Sequence, residues 1–165
     1  YASFLMATFD LWYRDWKNGK YTSVRLFDDY VHMLMGEPPS SCSVLGRCGG
    51  YIVVEADGSI YPCDFYVMDQ WRMGHFSDFE NVEKTFESPQ MIKFLQEGRD
   101  IPEECRACRW KGICGGGCRR DRDYSASLGP NYFCSSFKKF FLHAAPRLQE
   151  IARAELYARR CNRPI

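Results

Sequence analysis

Residues 105–121, CRACRWKGICGGGCRRD, place Cys105, Cys108, Cys114 and Cys118 in one short basic stretch around three consecutive glycines. Thiols this close either cross-link or hold metal, and the choice governs how the surrounding chain folds. Residues 42–134 contain eight of the nine cysteines, ordered C-x5-C-x14-C, a long gap, then C-x2-C-x5-C-x3-C-x15-C. The opening YASFLMATFDLWYRDW carries Asp10 and Asp15 and no basic start, so no secretion signal is read and a cytoplasmic setting is expected. In a reducing compartment such a cysteine density points to metal or cluster ligation ahead of disulfides. Eight thiolates suffice for two four-cysteine sites. Two zinc ions and two iron–sulfur clusters satisfy that count equally.

The run Gly115-Gly116-Gly117 suits the larger object, because glycine lets backbone approach a cluster and present N–H groups to its sulfurs. A phosphate-binding reading fails, since no Lys-Ser or Lys-Thr follows. Arg106, Arg109, Lys111, Arg119 and Arg120 either balance the charge of a thiolate-ligated cluster or form a solvated basic loop. Cys161 stands alone and is the spare thiol.

Composition bounds the rest. With 165 residues, 45% hydrophobic and 16% aromatic, the chain can build a globular core. A formal charge of +1 argues against a dedicated nucleic-acid or membrane-surface binder, and no apolar run reaches the roughly 18 residues that span a bilayer. The first residue is Tyr1, which suggests a piece of a longer protein.

The expected fold class is α+β: a small cysteine-rich domain with a β-hairpin and loops around two metal clusters, flanked by N- and C-terminal helices. Residues 1–36 read as two amphipathic helices. The first carries Phe4, Leu5, Thr8, Leu11 and Trp12 at helical spacing and stops before Gly19. The second has Ser23 as N-cap, then Val24, Phe27, Val31 and Leu34, and stops at Gly36. GEPPSS breaks the chain. GYIVVEADGSIYPC reads as a hairpin turning at Asp57-Gly58. ESPQMIKFLQEG reads as a short helix with Ser88 as N-cap, Pro89 at its first position and Gly98 at its end. The stretch after Cys134 is helical in pattern, kinked or divided at Pro146. Expected units are therefore 1–38, 39–145 and 146–165.

CSVLGRCGGYIVVEADGSIYPCDFYV, CRACRWKGICGGGCRRD and NYFCSSFKKFF together resemble the C-terminal SPASM region of radical S-adenosylmethionine enzymes, in particular the anaerobic sulfatase-maturating enzymes. The resemblance covers residues 42–145 and rests on the full eight-cysteine order. It implies two auxiliary 4Fe–4S clusters, one on Cys42, Cys48, Cys63 and Cys118, the other on Cys105, Cys108, Cys114 and Cys134. Spacing alone would instead group Cys105 to Cys118. It implies that Asp64, after Cys63, takes the proton released as a substrate side chain is oxidised, with a pKa raised by the anionic cluster; otherwise Asp64 merely caps a turn. The family's C-x3-C-x2-C motif for a third 4Fe–4S cluster and S-adenosylmethionine is missing, since Asp121 follows where the third cysteine would fall. That machinery is expected on a barrel outside this sequence, with residues 1–38 as its tail or linker, and the 165 residues alone are expected to be inactive.

The function so implied is oxidation of a cysteine or serine of a sulfatase, or another peptide, to formylglycine, with the auxiliary clusters relaying the electron. The partners implied are the barrel of the same protein, the sulfatase substrate, and an electron carrier such as a flavodoxin or ferredoxin, with no nucleic acid and no membrane. A rival from another class is a structural module holding two zinc ions, each on four cysteines, and zinc could also replace iron in material purified in air. His32, His75 and His143 have no cysteine at ligand spacing and read as surface or packing residues. Trp12, Trp16 and Trp71 read as core or partner contacts, Trp110 as a shield over a cluster, and VHMLM as a helix face toward the barrel.

Overall fold

The computed structural model describes residues 1–122 and 128–161. Among these the helices are α1 (Ala2–Lys17), α2 (Arg25–Leu34), α3 (Cys42–Leu45), α4 (Val82–Thr85), α5 (Pro89–Arg99), α6 (Glu103–Arg106), α7 (Lys111–Cys114) and α8 (Cys134–Cys161). The strands are β1 (Val53–Val54), β2 (Ser59–Tyr61) and β3 (Gly74–His75), forming one antiparallel sheet in the order β1-β2-β3. The architecture is α+β, with short helices and irregular loops between the sheet and a long helical frame.

α1 and α2 pack on α8, and their aromatic side chains build the main core. Phe140 is its centre, fully buried, edge-on to Phe9 at 5.6 Å and stacked on Phe27 at 5.7 Å. Burying such a ring is worth about 1.5–3 kcal/mol, and edge-to-face pairs add about 0.5–1.5 kcal/mol. The buried stripe of α1 is Leu5, Phe9 and Trp12, whereas Phe4 and Leu11, expected inside, are 65% and 53% exposed. α1 is apolar on several sides, so periodicity leaves its inner face open and contact with α8 selects it. Val24, not Ser23, occupies the N-cap of α2, because the Ser23 hydroxyl donates to Asp28 instead, at 2.7 Å. Met33, Leu34 and Met35 pack against this same core, so VHMLM is largely used within the chain.

α8 is one helix through Pro146, so of the kink or division expected there the division does not occur. The proline deletes one hydrogen bond, to the carbonyl of Leu142 on the exposed side. Ala144, Ala145 and Leu148 beside it are buried in the core, and that packing outweighs the loss. The expected boundary at residues 145 and 146 therefore falls inside one helix, and the core joins all three expected segments.

The hairpin forms where its turn residues place it. Val53 pairs with Tyr61 and Val54 with Ile60, Gly58 takes φ of 82°, and Asp57 accepts the Ser59 N–H at 2.9 Å. β3 adds to the other edge of β2, pairing Ser59 with His75 and Ile60 with Gly74. Two residues offer no alternation, so this strand left no signal in the sequence. α5 starts as its cap predicts, Ser88 accepting the Met91 N–H at 3.2 Å with Pro89 first in the helix. It does not stop at Gly98 but continues to Arg99. Among the described residues no helix is long and apolar enough to cross a membrane.

Candidate metal centres

The described thiols fall into two groups of four, and Cys161 stays apart, exposed at the end of α8. All nine cysteines are unpaired thiols. Cys42, Cys48, Cys63 and Cys118 line one hollow of about 130 Å³, shared with Tyr51, Tyr66, Phe94 and Arg119. Cys42 opens α3, whose start is held by the buried Asp29 carboxylate. That carboxylate accepts the N–H groups of Ser40 at 2.6 Å and Ser41 at 3.2 Å, and the Ser41 hydroxyl at 2.5 Å. Cys63 follows β2, so the hairpin presents it.

Cys105, Cys108, Cys114 and Cys134 line the second hollow, about 20 Å³ in volume, together with Trp110, Phe137 and Phe141. Cys105 lies in α6, Cys114 ends α7, and Cys134 opens α8. Cys118 comes soon after Cys114 in the chain, yet it turns to the other group. Gly115, Gly116 and Gly117 reverse the chain between them with φ of 59°, 88° and 74°, a sequence of left-handed residues that only glycine adopts cheaply.

Burial raises the pKa of each thiol resolved here. Cys48 is pushed up to about 11 by burial, with Arg119 opposing and the thiols of Cys118, Cys42 and Cys63 adding to it. Burial likewise lifts Cys42 and Cys63 in that group, and Cys105 and Cys114 in the other. Thiols raised in this way resist becoming thiolates unless a metal compensates them. Among the described residues no three His, Cys, Asp or Glu side chains converge tightly enough for a single ion. The donor set, four soft sulfurs per hollow with backbone N–H groups donating to Cys63 and Cys114, fits thiolate-ligated iron–sulfur chemistry.

Residues 42–109 match the family model described as SPASM, an iron–sulfur cluster-binding domain. The chain carries a SPASM domain.

Its homologues are anaerobic sulfatase-maturating enzymes. The chain is 44% identical over 154 residues to the cysteine-type enzyme of Clostridium perfringens (strain 13 / Type A), covering 92% of this chain and 41% of the relative. It is 36% identical to the cysteine-type enzyme of Clostridium novyi (strain NT), covering 95% and 42%, and 29% identical to the serine-type enzyme of Bacteroides thetaiotaomicron, covering 88% and 36%. A solved structure of native anSMEcpe with bound AdoMet and the Kp18Cys peptide superposes with a TM-score of 0.88 at 42% identity, over 93% of this chain and 43% of that one. The chain thus spans less than half the length of these relatives.

Beside the first group of this SPASM domain lies Asp64, an exposed carboxylate. The Tyr51 hydroxyl donates to it at 2.6 Å and stands 3.4 Å from Cys63 Sγ. The upward shift expected of Asp64 concerns a bound anionic cluster beside it. In the chain by itself the Tyr51 hydrogen bond holds Asp64 below the usual carboxylate range despite some desolvation, and a hydrogen bond from Cys63 adds to this.

The five basic residues of the cysteine loop divide. Arg106 pairs with Glu103, Arg109 lies over Trp110, and Arg120 pairs with Asp121, all at the surface with Lys111. Arg119 is buried at the first hollow. It donates to the Phe94 carbonyl at 3.1 Å and Glu97 at 2.7 Å, with its guanidinium over the rings of Phe94, Tyr66 and Trp71. Arg122, which no motif marks, is buried as well. Trp110 packs on Phe141 at 5.4 Å and lines the second hollow. Trp12 and Trp71 are core residues. The histidines lie elsewhere: His143 pairs with Asp10, His75 caps a short turn, and His32 sits on α2.

Proposed function

We propose that Cys42, Cys48, Cys63 and Cys118 hold one 4Fe–4S cluster and Cys105, Cys108, Cys114 and Cys134 a second. The chain would be the auxiliary-cluster part of a radical S-adenosylmethionine enzyme that oxidises a sulfatase side chain to formylglycine. The observation that carries this reading is the segregation of eight thiols into two four-sulfur hollows, one of them flanked by a hydrogen-bonded carboxylate. The more similar relatives are cysteine-type, which favours cysteine as the side chain oxidised. When bound, such clusters supply one-electron acceptors at potentials set by hydrogen bonds and local charge.

The chain's own residues then have separate tasks. Tyr51 fixes the carboxylate of Asp64 beside Cys63, and Asp64 takes the proton that leaves as the substrate carbon is oxidised. Trp110, Phe137 and Phe141 keep water from the second cysteine group. Residues 1–38 join residues 39–145 to the barrel that would bind S-adenosylmethionine, and an electron carrier such as a flavodoxin or ferredoxin would reoxidise the unit.

Metal and sulfide analysis of anaerobically purified protein tests the reading. About eight irons and about eight sulfides per chain are expected. About two zincs without sulfide, unchanged after anaerobic reconstitution, would overturn it in favour of a structural zinc module.

A further inference from the structure

Arg119 and Arg122 leave the same turn after Cys118, and both are buried, but their charges are met differently. Arg119 pairs with the Glu97 carboxylate. Arg122 has no carboxylate partner among the described residues. Its Nη1 donates to the Asp100 carbonyl, and its Nη2 to the carbonyls of Gly46 and Gly117, each at 3.0 Å. Its Nε is buried without a hydrogen-bond partner among the described residues. Carbonyl dipoles solvate a guanidinium but leave its full charge in the interior, which is costly unless an anion lies near.

The anion's place is close by. A methyl group on Gly116 would stand 3.8 Å from both Arg122 Nη2 and Cys105 Sγ, with Ile101 beside it at 3.7 Å, so the guanidinium and the second cysteine group flank the same glycine. We propose that Arg122 is the fixed counter-charge of a net-negative metal–thiolate centre on Cys105, Cys108, Cys114 and Cys134. The inference rests on the iron–sulfur reading above and adds a positioning and tuning residue to it. Four thiolates around a cluster carry net negative charge, and a buried cation with fixed hydrogen bonds stabilises that charge and the additional electron alike. The same side chain is a strut between the two groups. Gly46 ends α3 behind Cys42, Gly117 precedes Cys118, and the Gly46 turn lies directly against Gly115.

The test uses the full chain, purified without oxygen, as wild type, Arg122→Gln and Arg122→Lys. Midpoint potentials of the iron–sulfur signals are followed by redox titration with electron paramagnetic resonance, and iron and sulfide are measured on the same samples. Arg122→Gln is expected to shift one of two signals to more negative potential, and Arg122→Lys to restore most of that shift. Unchanged potentials in Arg122→Gln at full iron content would overturn the proposal, a result that a purely structural residue would give. Should Arg122→Gln lose its iron, Arg122→Lys decides. Full iron at near wild-type potential supports the counter-charge, and equal loss overturns it in favour of the strut alone. Wild-type protein without iron and sulfide would remove the iron–sulfur reading and this inference together, and is seen before any substitution is made.

Discussion

Gly98, inside α5, faces Cys48 so closely that a β-carbon there would sit 2.8 Å from the Cys48 Cβ and 2.9 Å from its Sγ. A glycine within a helix ordinarily lowers stability by about 1 kcal/mol against alanine. Here the helix forgoes that gain so that it can lie against a thiol of the first group. Gly98→Ala is accordingly expected to lower stability and to lose about half of the bound iron by displacing Cys48. Gly112→Ala is the control, since α7 leaves open space there. Melting curves and iron content decide, and a Gly98→Ala protein as stable and as iron-rich as wild type would refute the close approach.

Asp64→Asn keeps the shape of the carboxylate and its contact with Tyr51 but removes the base. In the full-length enzyme it is expected to retain its metal and lose formylglycine formation by about 10²–10⁴-fold. Mass spectrometry of a sulfatase-derived peptide measures the product. Product formation close to the wild-type rate would exclude Asp64 as the proton acceptor.

Asp29 ties α2 to the segment that launches Cys42. Burial alone would raise its pKa, but the Ser41 hydroxyl and the Ser40 amide outweigh burial and hold it below the usual carboxylate range. A folded value under the unfolded one, about 3.9, means that ionised Asp29 favours the folded state. Its contribution is complete above about pH 4 and disappears as pH falls through the lower folded value. Asp29→Asn should cost about 1–3 kcal/mol at neutral pH. Denaturant titrations should show the gap to wild type closing below about pH 4, and a gap that stays constant on further acidification would contradict this.

Phe140→Ala empties the centre of the α1–α2–α8 core, where Phe9, Phe27 and Tyr30 all meet that ring. A loss of about 3–5 kcal/mol is expected. Because Cys134 opens the same helix, iron at the second group should fall with it, as chemical unfolding and metal analysis would show.

Cys161→Ser should change neither iron content nor stability, since this thiol is exposed and belongs to neither group. Iron lost in this variant would give Cys161 a role in metal delivery or retention.

Local chemistry was legible in the sequence where one residue determines its own neighbourhood. Ser88 with Pro89 starts α5 and Asp57-Gly58 turns the hairpin, because each signal depends on contacts a few residues apart, and the cysteine order marks the SPASM domain through its spacing along the chain. Which face of α1 is buried, whether α8 survives Pro146, and where β3 pairs were not legible, because those outcomes are settled by what packs against each element. The same holds at the centres. Gly98 reads as a helix end until Cys48 is set against it, and Arg122 looks like one more basic residue until three backbone carbonyls, two of them from distant segments, enclose it. Sequence determined which thiols and turns exist. The grouping of those thiols followed from the family resemblance and not from their spacing, and tertiary structure decided which cation is buried beside them, since charge and burial depend on distances through space that chain order does not contain.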